Sequence, residues 1–541
     1  MDSLYHWLGV LAYCALMVFI GWRIRRRIRR DEGEQVNYEF WIAKRQLPGW
    51  RLAISLTAGW LMLGWVGFGM SQIYMYGATG LWILPIPWLI LCVIIIFMVP
   101  FVRRIASVSL PQGIQKRYGY SARVLLAILS FFVFIAWTQA ELFMGGRLMA
   151  PFLHVPEWVC MAILVLPIIL YVYMGGFRAN VATDVAQFAI MAPFMIILTV
   201  VAVQMAGAES AKNHQSVWEA IAASAPPTAG KGNALSLGFA GWLFPLVLLV
   251  GYLPGWMIEQ DLVIRIQAAA STKQARYGAV WGLVLIGIFV IVLPSIIAFC
   301  TLVAFPPGAD GAVNPAIGES AYNICSAFIE KLPIWLSVFM LVGIVACQMS
   351  TVDTFANVSA LALAYDLVEP VLVKKRLTPH GRLMFAKGLS IFVLLLSLVC
   401  AIISKSLQDV YYISSGVLSA CIAVPAIFVF WRRTTLPAVM TAAVVGFVGT
   451  VAAFIYENHY LQATDLPSWA QGSYGYVYVA TGVILSLVSI VGVSLVTGPA
   501  TAAQLEALRP APVENYNEFV AETSSGASSL EVGELAGTRV D

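Results

Sequence analysis

Long apolar runs recur along this chain so closely that little else fits between them. Thirteen stretches reach about 20 residues, the length a helix needs to cross ~30 Å of hydrocarbon at about 1.5 Å per residue. They lie near 4–24, 52–76, 80–102, 123–145, 157–174, 181–206, 239–258, 278–304, 333–365, 383–404, 409–431, 436–456 and 474–497. In lipid each backbone polar group must be satisfied within its own helix or closed barrel, so runs of this length predict an all-α membrane protein of about 13 transmembrane helices. Composition agrees, because 60% of the 541 residues are apolar and 11% charged, against roughly 25% charged in a soluble domain. The 43 Gly and 26 Pro fall inside apolar segments, where they mark helix breaks and close packing rather than disorder. A balance of 32 basic and 28 acidic residues argues against a nucleic-acid binder. The eight Cys have no paired spacing and all but Cys325 sit in apolar runs, which supports neither a disulfide framework nor a zinc site.

The first span lacks a basic leader and is followed by Arg23, Arg25, Arg26, Arg27, Arg29 and Arg30. It is therefore expected to be retained, with that run in the cytoplasm. If the N-terminus is outside, inner loops and span ends collect 25 Lys and Arg and outer ones five, and thirteen crossings leave the C-terminus inside. Residues 1–498 then form one polytopic domain, with a core at about 52–431. The loops 207–238 and 305–332 read as lids or connectors. Residues 499–541 are polar and mildly acidic, which predicts a disordered cytoplasmic tail, too short for a folded catalytic module.

A charge at bilayer depth costs roughly 2.5–3.5 kcal/mol, so polarity inside a span points to function. The second span carries Gly59, Gly64, Gly67 and Gly69 among Ser55, Thr57, Trp60 and Trp65. Such glycines either let the helix unwind and expose carbonyls to a cation or allow close helix packing. The seventh span is interrupted by Pro245 and by Gly251, Pro254 and Gly255, ending at Glu259, Gln260 and Asp261. Two interrupted helices five spans apart point to an inverted-repeat transporter with a site at mid-membrane. In the ninth span Cys347, Ser350, Thr351 and Thr354 share one helical face, with Asp353 in the same turn. A carboxylate there requires a cation, a proton or a polar network. Asp184, after Gly175 and Gly176, stands near the start of the sixth span, as a functional carboxylate or an ordinary N-cap.

With these residues in view, the chain resembles the sodium:solute symporter family, whose architecture is that of the leucine-transporter fold. The resemblance spans most of residues 1–450 and rests on Gly175-Gly176-Phe177-Arg178 leading to Thr183-Asp184 and Gln187, on Leu47-Pro48-Gly49-Trp50, on Leu110-Pro111 with Lys116-Arg117-Tyr118-Gly119, and on Met349-Ser350-Thr351. It implies two inverted five-helix repeats over spans two to eleven, with spans two and seven broken. It also implies a sodium site of main-chain oxygens at Ala58, Leu61 and Cys347 and the hydroxyls of Ser350 and Thr351. Some members have a second sodium position, matching Asp184, Ser350, Asp353 and Thr354. Asp353 replaces a hydroxyl there, so the pair Asp184 and Asp353 reads as a stronger second cation site or a proton-linked step.

The implied solute pocket lies between the broken helices and the fourth span, with Trp60, Gly64, Trp65, Trp137, Gln139, Glu141, Tyr252 and Trp256 as candidate lining. An aromatic-rich pocket with one carboxylate and no basic residue favours a cationic or neutral amine; membrane Trp also serve as packing. The expected activity is sodium-coupled symport of a small organic solute by alternating access in a cell membrane, with sodium as co-substrate and no other cofactor. A proton-coupled symporter and a non-transporting solute sensor of the same fold are the alternatives. An enzyme is disfavoured, because His6, His154, His214, His380 and His459 lie at or outside span ends with no metal spacing.

Overall fold

A computed structural model describes residues 2–28, 35–105, 107–318, 321–373, 377–404, 406–467, 469–498, 505, 512–514 and 516–521. Arg29, Arg30, Lys374, Lys375, Arg376, Lys405 and most of the tail, on which the sequence reading also drew, lie outside the described residues. Among the described residues the elements are all helices. A long first helix, α1 (Asp2–Ile28), is followed by the short α2 (Gln35–Ile42) and by the broken pair α3 (Gly49–Trp60) and α4 (Leu63–Tyr76). Next come α5 (Pro85–Ile105), α6 (Leu110–Tyr118), α7 (Tyr120–Leu153) and α8 (Glu157–Ala211). After the loop helix α9 (Val217–Ala223), a second interrupted helix forms α10 (Leu243–Met257) and α11 (Gln260–Ala268). The chain continues through α12 (Thr272–Ile286), α13 (Leu293–Ala304), the short α14 (Ile324–Ile329), α15 (Ile334–Leu361) and α16 (Pro379–Ile403). It ends with α17 (Leu407–Val417), α18 (Val424–Ile427), α19 (Leu436–His459) and α20 (Val477–Val496).

Among the described residues, eleven helical stretches are long and apolar enough to span, and the α3–α4 pair, bent by 59°, brings the number to twelve. The expected thirteen is reached only if α8 counts twice. Its 55 residues would run about 80 Å if straight, far beyond ~30 Å of hydrocarbon. Gly176 divides it with φ 54° and ψ −147°, a region that favours glycine. A Cβ there would stand 2.6 Å from the Phe40 carbonyl oxygen, so α2 seats against this break. Arg178 fixes the seat with a fork to Glu39 and a bond to the Ala43 carbonyl at 3.0 Å.

Two helices hold the centre. α3 packs on α8 and α12, while α15 packs on α7 and α8, and residues 337, 340, 341 and 343–361 of α15 are buried almost without interruption. At the basic end of the bundle the segment before α3 is tied to the end of α11. Leu47 donates to the Ala268 carbonyl at 3.1 Å and accepts from the Ala270 amide at 3.0 Å. Arg103 adds a bond to the Ala269 carbonyl at 2.9 Å. At the opposite end the 207–238 loop closes over the turn after α4, through Ala78 N to Ala234 O at 2.8 Å and Thr79 Oγ1 to Ser236 O at 2.6 Å.

Within the tail, the described residues 512–514 and 516–521 meet the helical core. Val513 and Phe519 are fully buried, and residues 516–521 form a helical turn. Arg45 and Arg103 both donate to the Val513 carbonyl, at 2.7 and 3.1 Å, and the Arg45 guanidinium lies 4.4 Å from the Phe519 ring centre. Burial, followed by the charge of Arg103, pushes Arg45 down to about 9, and Glu514 and Glu518 oppose that shift. Two apolar anchors and two carboxylates thus give a polar stretch enough to dock. Phe519→Ala, which removes roughly 3 kcal/mol of burial, is expected to make this segment cleavable by added protease while the helical core stays resistant. Equal cleavage rates in both proteins would contradict the docking.

Candidate functional site

The first broken helix ends because Leu61 (φ −80°, ψ 50°) and Met62 (φ −78°, ψ 109°) leave the helical region. Leu61 N still donates to the Thr57 carbonyl at 2.9 Å, but the carbonyls of Ala58 and Leu61 accept no main-chain bond across the break among the described residues. Such end carbonyls carry the negative pole of a helix. α15 faces them. The Thr351 hydroxyl lies 3.2 Å from the Gly59 carbonyl and 3.1 Å from that of Cys347, so one hydroxyl links both helices. On the adjacent residue, Ser350 Oγ donates to Asp184 Oδ1 at 2.7 Å, and Ser55 Oγ of α3 donates to Asp184 Oδ2 at 2.5 Å.

Asp184 is therefore no N-cap. It sits inside α8, eight residues past Gly176, wholly buried, joining α3 to α15 through two serines. The sequence reading missed its cation. Arg265, one of the 25 basic residues that the sequence assigns to inner loops and span ends, is buried in α11 with Nη2 3.0 Å from Thr354 Oγ1 and 3.8 Å from Asp184 Oδ2. Its Nη1 pairs with Asp261 at 3.1 Å and its Nε reaches Ser55 at 3.2 Å. The i, i+4 spacing of Asp261 and Arg265 was the available signal. Asp353 faces Tyr171, whose hydroxyl donates to it at 2.5 Å, and Thr354 Oγ1 lies 3.4 Å from its other oxygen.

Across the break, α4 starts with its amides pointing into the core, and Glu141 of α7 meets them. Its Oε2 accepts from Gly64 N at 3.0 Å and its Oε1 from Trp65 N at 3.2 Å. Tyr411 of α17 donates to the same carboxylate. The Gln348 amide, with its nitrogen turned to Glu141, adds a bond to Oε2 at 2.8 Å. Around this group Trp65 stands 4.9 Å from Tyr411 and 5.9 Å from Trp256, and Tyr252 stacks on Trp256 at 5.4 Å with 9° between planes.

Of the expected pocket, Gly64, Trp65, Glu141, Tyr252 and Trp256 thus lie together, with Tyr411, Tyr412 and Gln348 not foreseen. Trp60 stands to one side, bonded to Asp261 at 3.0 Å and packed on Trp88 at 5.1 Å. Trp137 is turned away, its Nε1 donating to Ser414 at 2.9 Å and its ring against Phe355 at 5.2 Å. Gln139 is half-buried and makes no side-chain hydrogen bond among the described residues. The second interruption falls at Ile258 and Glu259, later than Pro245 or Gly251 indicated. Pro254 is absorbed within α10, where proline removes one donor without ending the helix.

Residues 40–446 match the profile of the Sodium:solute symporter family. The chain belongs to this family. It is similar to sodium/glucose cotransporter 4 of Danio rerio, 24% identical over 91% of this chain and 78% of that one. A sodium/glucose cotransporter of Vibrio parahaemolyticus is 25% identical over 81% and 82%, and the sodium/pantothenate symporter of Escherichia coli 26% over 66% and 71%. A solved Na+-coupled sialic acid symporter, described as substrate-bound and outward-open, superposes with a TM-score of 0.71 over 92% of this chain and 98% of that one at 15% identity, which establishes the shared fold. The protein is a multi-pass membrane transporter, and it couples sodium to symport of an organic solute.

Gly64 is held to glycine by its surroundings. A Cβ there would meet Glu141 Oε1 and Tyr411 Oη, each at 2.5 Å, whereas one at Gly67 meets only the flexible Met144 methyl at 3.3 Å. Gly64→Ala is expected to lose about 1–3 kcal/mol and Gly67→Ala to be near neutral. Thermal unfolding of the purified variants in detergent checks the difference; equal midpoints would contradict it.

Proposed function

We propose that one sodium ion binds between the carbonyls of Ala58 and Leu61, the Cys347 carbonyl and the hydroxyls of Ser350 and Thr351. The observation that carries this reading is the Thr351 hydroxyl held between the Gly59 and Cys347 carbonyls, beside the Ala58 and Leu61 carbonyls, which no backbone amide satisfies among the described residues. A hydroxyl that donates its proton keeps two lone pairs. Ser350 donates to Asp184, so its lone pairs remain free for a cation. An ion here bridges the broken helix to α15 and stabilises one arrangement of α3 against the α7, α8 and α15 scaffold. Solute then binds to that arrangement, and ion and solute cross together. The membrane potential contributes about 2.3 kcal/mol per charge for each 100 mV.

The second cation position, Asp184, Asp353 and Thr354, takes a tethered cation in this arrangement, because Arg265 already bonds Thr354 and approaches Asp184. A second sodium enters only as Arg265 withdraws, and Asp353, held by Tyr171, is the group through which a proton-linked step acts. The solute is a small organic molecule bound among Gly64, Trp65, Glu141, Tyr252 and Trp256, with Trp60, Trp137 and Gln139 as outlying members of the expected lining. Reading α8 as two spans gives thirteen crossings, an outside N-terminus and a cytoplasmic C-terminus, in keeping with the Arg-rich end after α1.

Uptake by proteoliposomes of a panel of amines, amino acids, carboxylates and sugars, with and without a sodium gradient, tests the reading. Uptake that ignored sodium and followed a pH gradient would remove the sodium assignment. Ser350→Ala and Thr351→Ala are each expected to raise the sodium concentration for half-maximal uptake about tenfold, the equivalent of ~1.4 kcal/mol. Thr351→Ser should restore it. Unchanged sodium dependence in both alanine variants would argue against the site. Asp353→Asn is expected to alter the pH dependence or the ion number, and an identical profile would leave that carboxylate structural.

A further inference from the structure

We infer that Glu141 is a resident anion that fills the place a solute carboxylate would otherwise take, and so selects an ammonium-bearing solute over an acid. The inference rests on the solute pocket proposed above. The start of a helix after a break offers free amides and the positive end of the helix dipole, a ready site for an anion. α4, at 14 residues, has such a start, and its two amides at Gly64 and Trp65 are both taken by Glu141. Four donors meet the carboxylate in all: two amides, the Tyr411 hydroxyl and the Gln348 amide. At this helix end Glu141 takes the Gly64 and Trp65 amides and the Met62 carbonyl takes that of Val66, so a second acid would have to compete with a carboxylate already seated.

The charge balance points the same way. All four donors are neutral, and a helix end supplies only about half a positive charge. The donors that meet the wholly buried Glu141 include no cation among the described residues, so its carboxylate form favours a cation beside it. The groups beside it lead into an aromatic chain: Tyr411 contacts Trp65, Trp65 contacts Trp256, Trp256 stacks on Tyr252 and Tyr252 on Tyr412. Ring faces and an under-neutralised carboxylate attract an organic cation and repel an anion. The cavity expected in Glu141→Ala is also defined, because Gly64 has no side chain and a Cβ on it would touch Glu141 Oε1 at 2.5 Å.

Chemical rescue tests this without knowledge of the solute. Glu141→Ala, purified in detergent, should unfold at lower temperature than the parent in sodium chloride. Replacing chloride by acetate or formate at equal sodium should raise its midpoint by about 3 °C or more. The parent and Glu141→Gln, which keep an acceptor in place, should not respond. Acetate-independent melting of the alanine variant, or equal stabilisation of the parent by acetate, would overturn the inference. Should the alanine variant not fold, the parent alone decides: methylammonium and tetramethylammonium chloride are expected to raise its midpoint and acetate is not, and the reverse order overturns the proposal. Failure of sodium-driven uptake with rescue intact would remove the transport reading and leave Glu141 in this role. Uptake with no rescue would do the opposite.

Discussion

A helix interrupted inside lipid leaves backbone groups that water cannot reach, and most of this structure answers that one problem. At Leu61 and Met62 the chain stops being helical, and the two exposed ends need partners of opposite polarity. The amide end is satisfied by Glu141, and the carbonyl end faces the hydroxyls of α15. The protein can fill the first permanently, since a carboxylate is available as a side chain. The second faces neutral hydroxyls, which suit a small cation that must come and go.

The break is placed by what surrounds it. α15 is buried along nearly its whole second half, so it can present Ser350, Thr351, Asp353 and Thr354 to α3 and α8 in a fixed register. Asp184 reads that register, through Ser350 on one oxygen and Ser55 on the other. Arg265 then connects the second interrupted helix to the same cluster. Movement of α11 therefore cannot occur without disturbing Asp184 and Thr354. This gives a physical basis for linking the two broken helices, since each carries a group whose partner sits on the other or on the helix between them.

Much of the fold was legible because hydropathy at span length is a strong signal and because lipid forbids most alternatives. Spans near 157–174 and 181–206 were separable from the Gly175-Gly176 pair, and the structure breaks that helix at Gly176. The oxygen-rich face of α15 followed from helical spacing alone. Side-chain partnership was harder to read. Arg265 looks like a loop cation when charges are counted by sequence, because burial and the Asp261 pairing are tertiary facts. Tyr411 and Gln348 carry no local pattern that would direct them to Glu141. Trp137, plausible by its place on α7, turns instead to Ser414 and Phe355, since which face of a wholly apolar helix meets which neighbour is set by packing. Part of the tail docks for a similar reason: Val513 and Phe519 stand in a mostly polar stretch, and the surface that receives them lies more than 400 positions earlier, at Arg45 and Arg103.

Coupling through an ion at the Leu61–Met62 break is tested most directly by an experimental structure of the protein in sodium, set against one in an organic cation too large for the site. The account predicts density, present only in sodium, enclosed by the carbonyl oxygens of Ala58, Leu61 and Cys347 and the hydroxyls of Ser350 and Thr351. An ion bound elsewhere, or an unchanged break with Thr351 still bonded to Gly59 in both conditions, would contradict it.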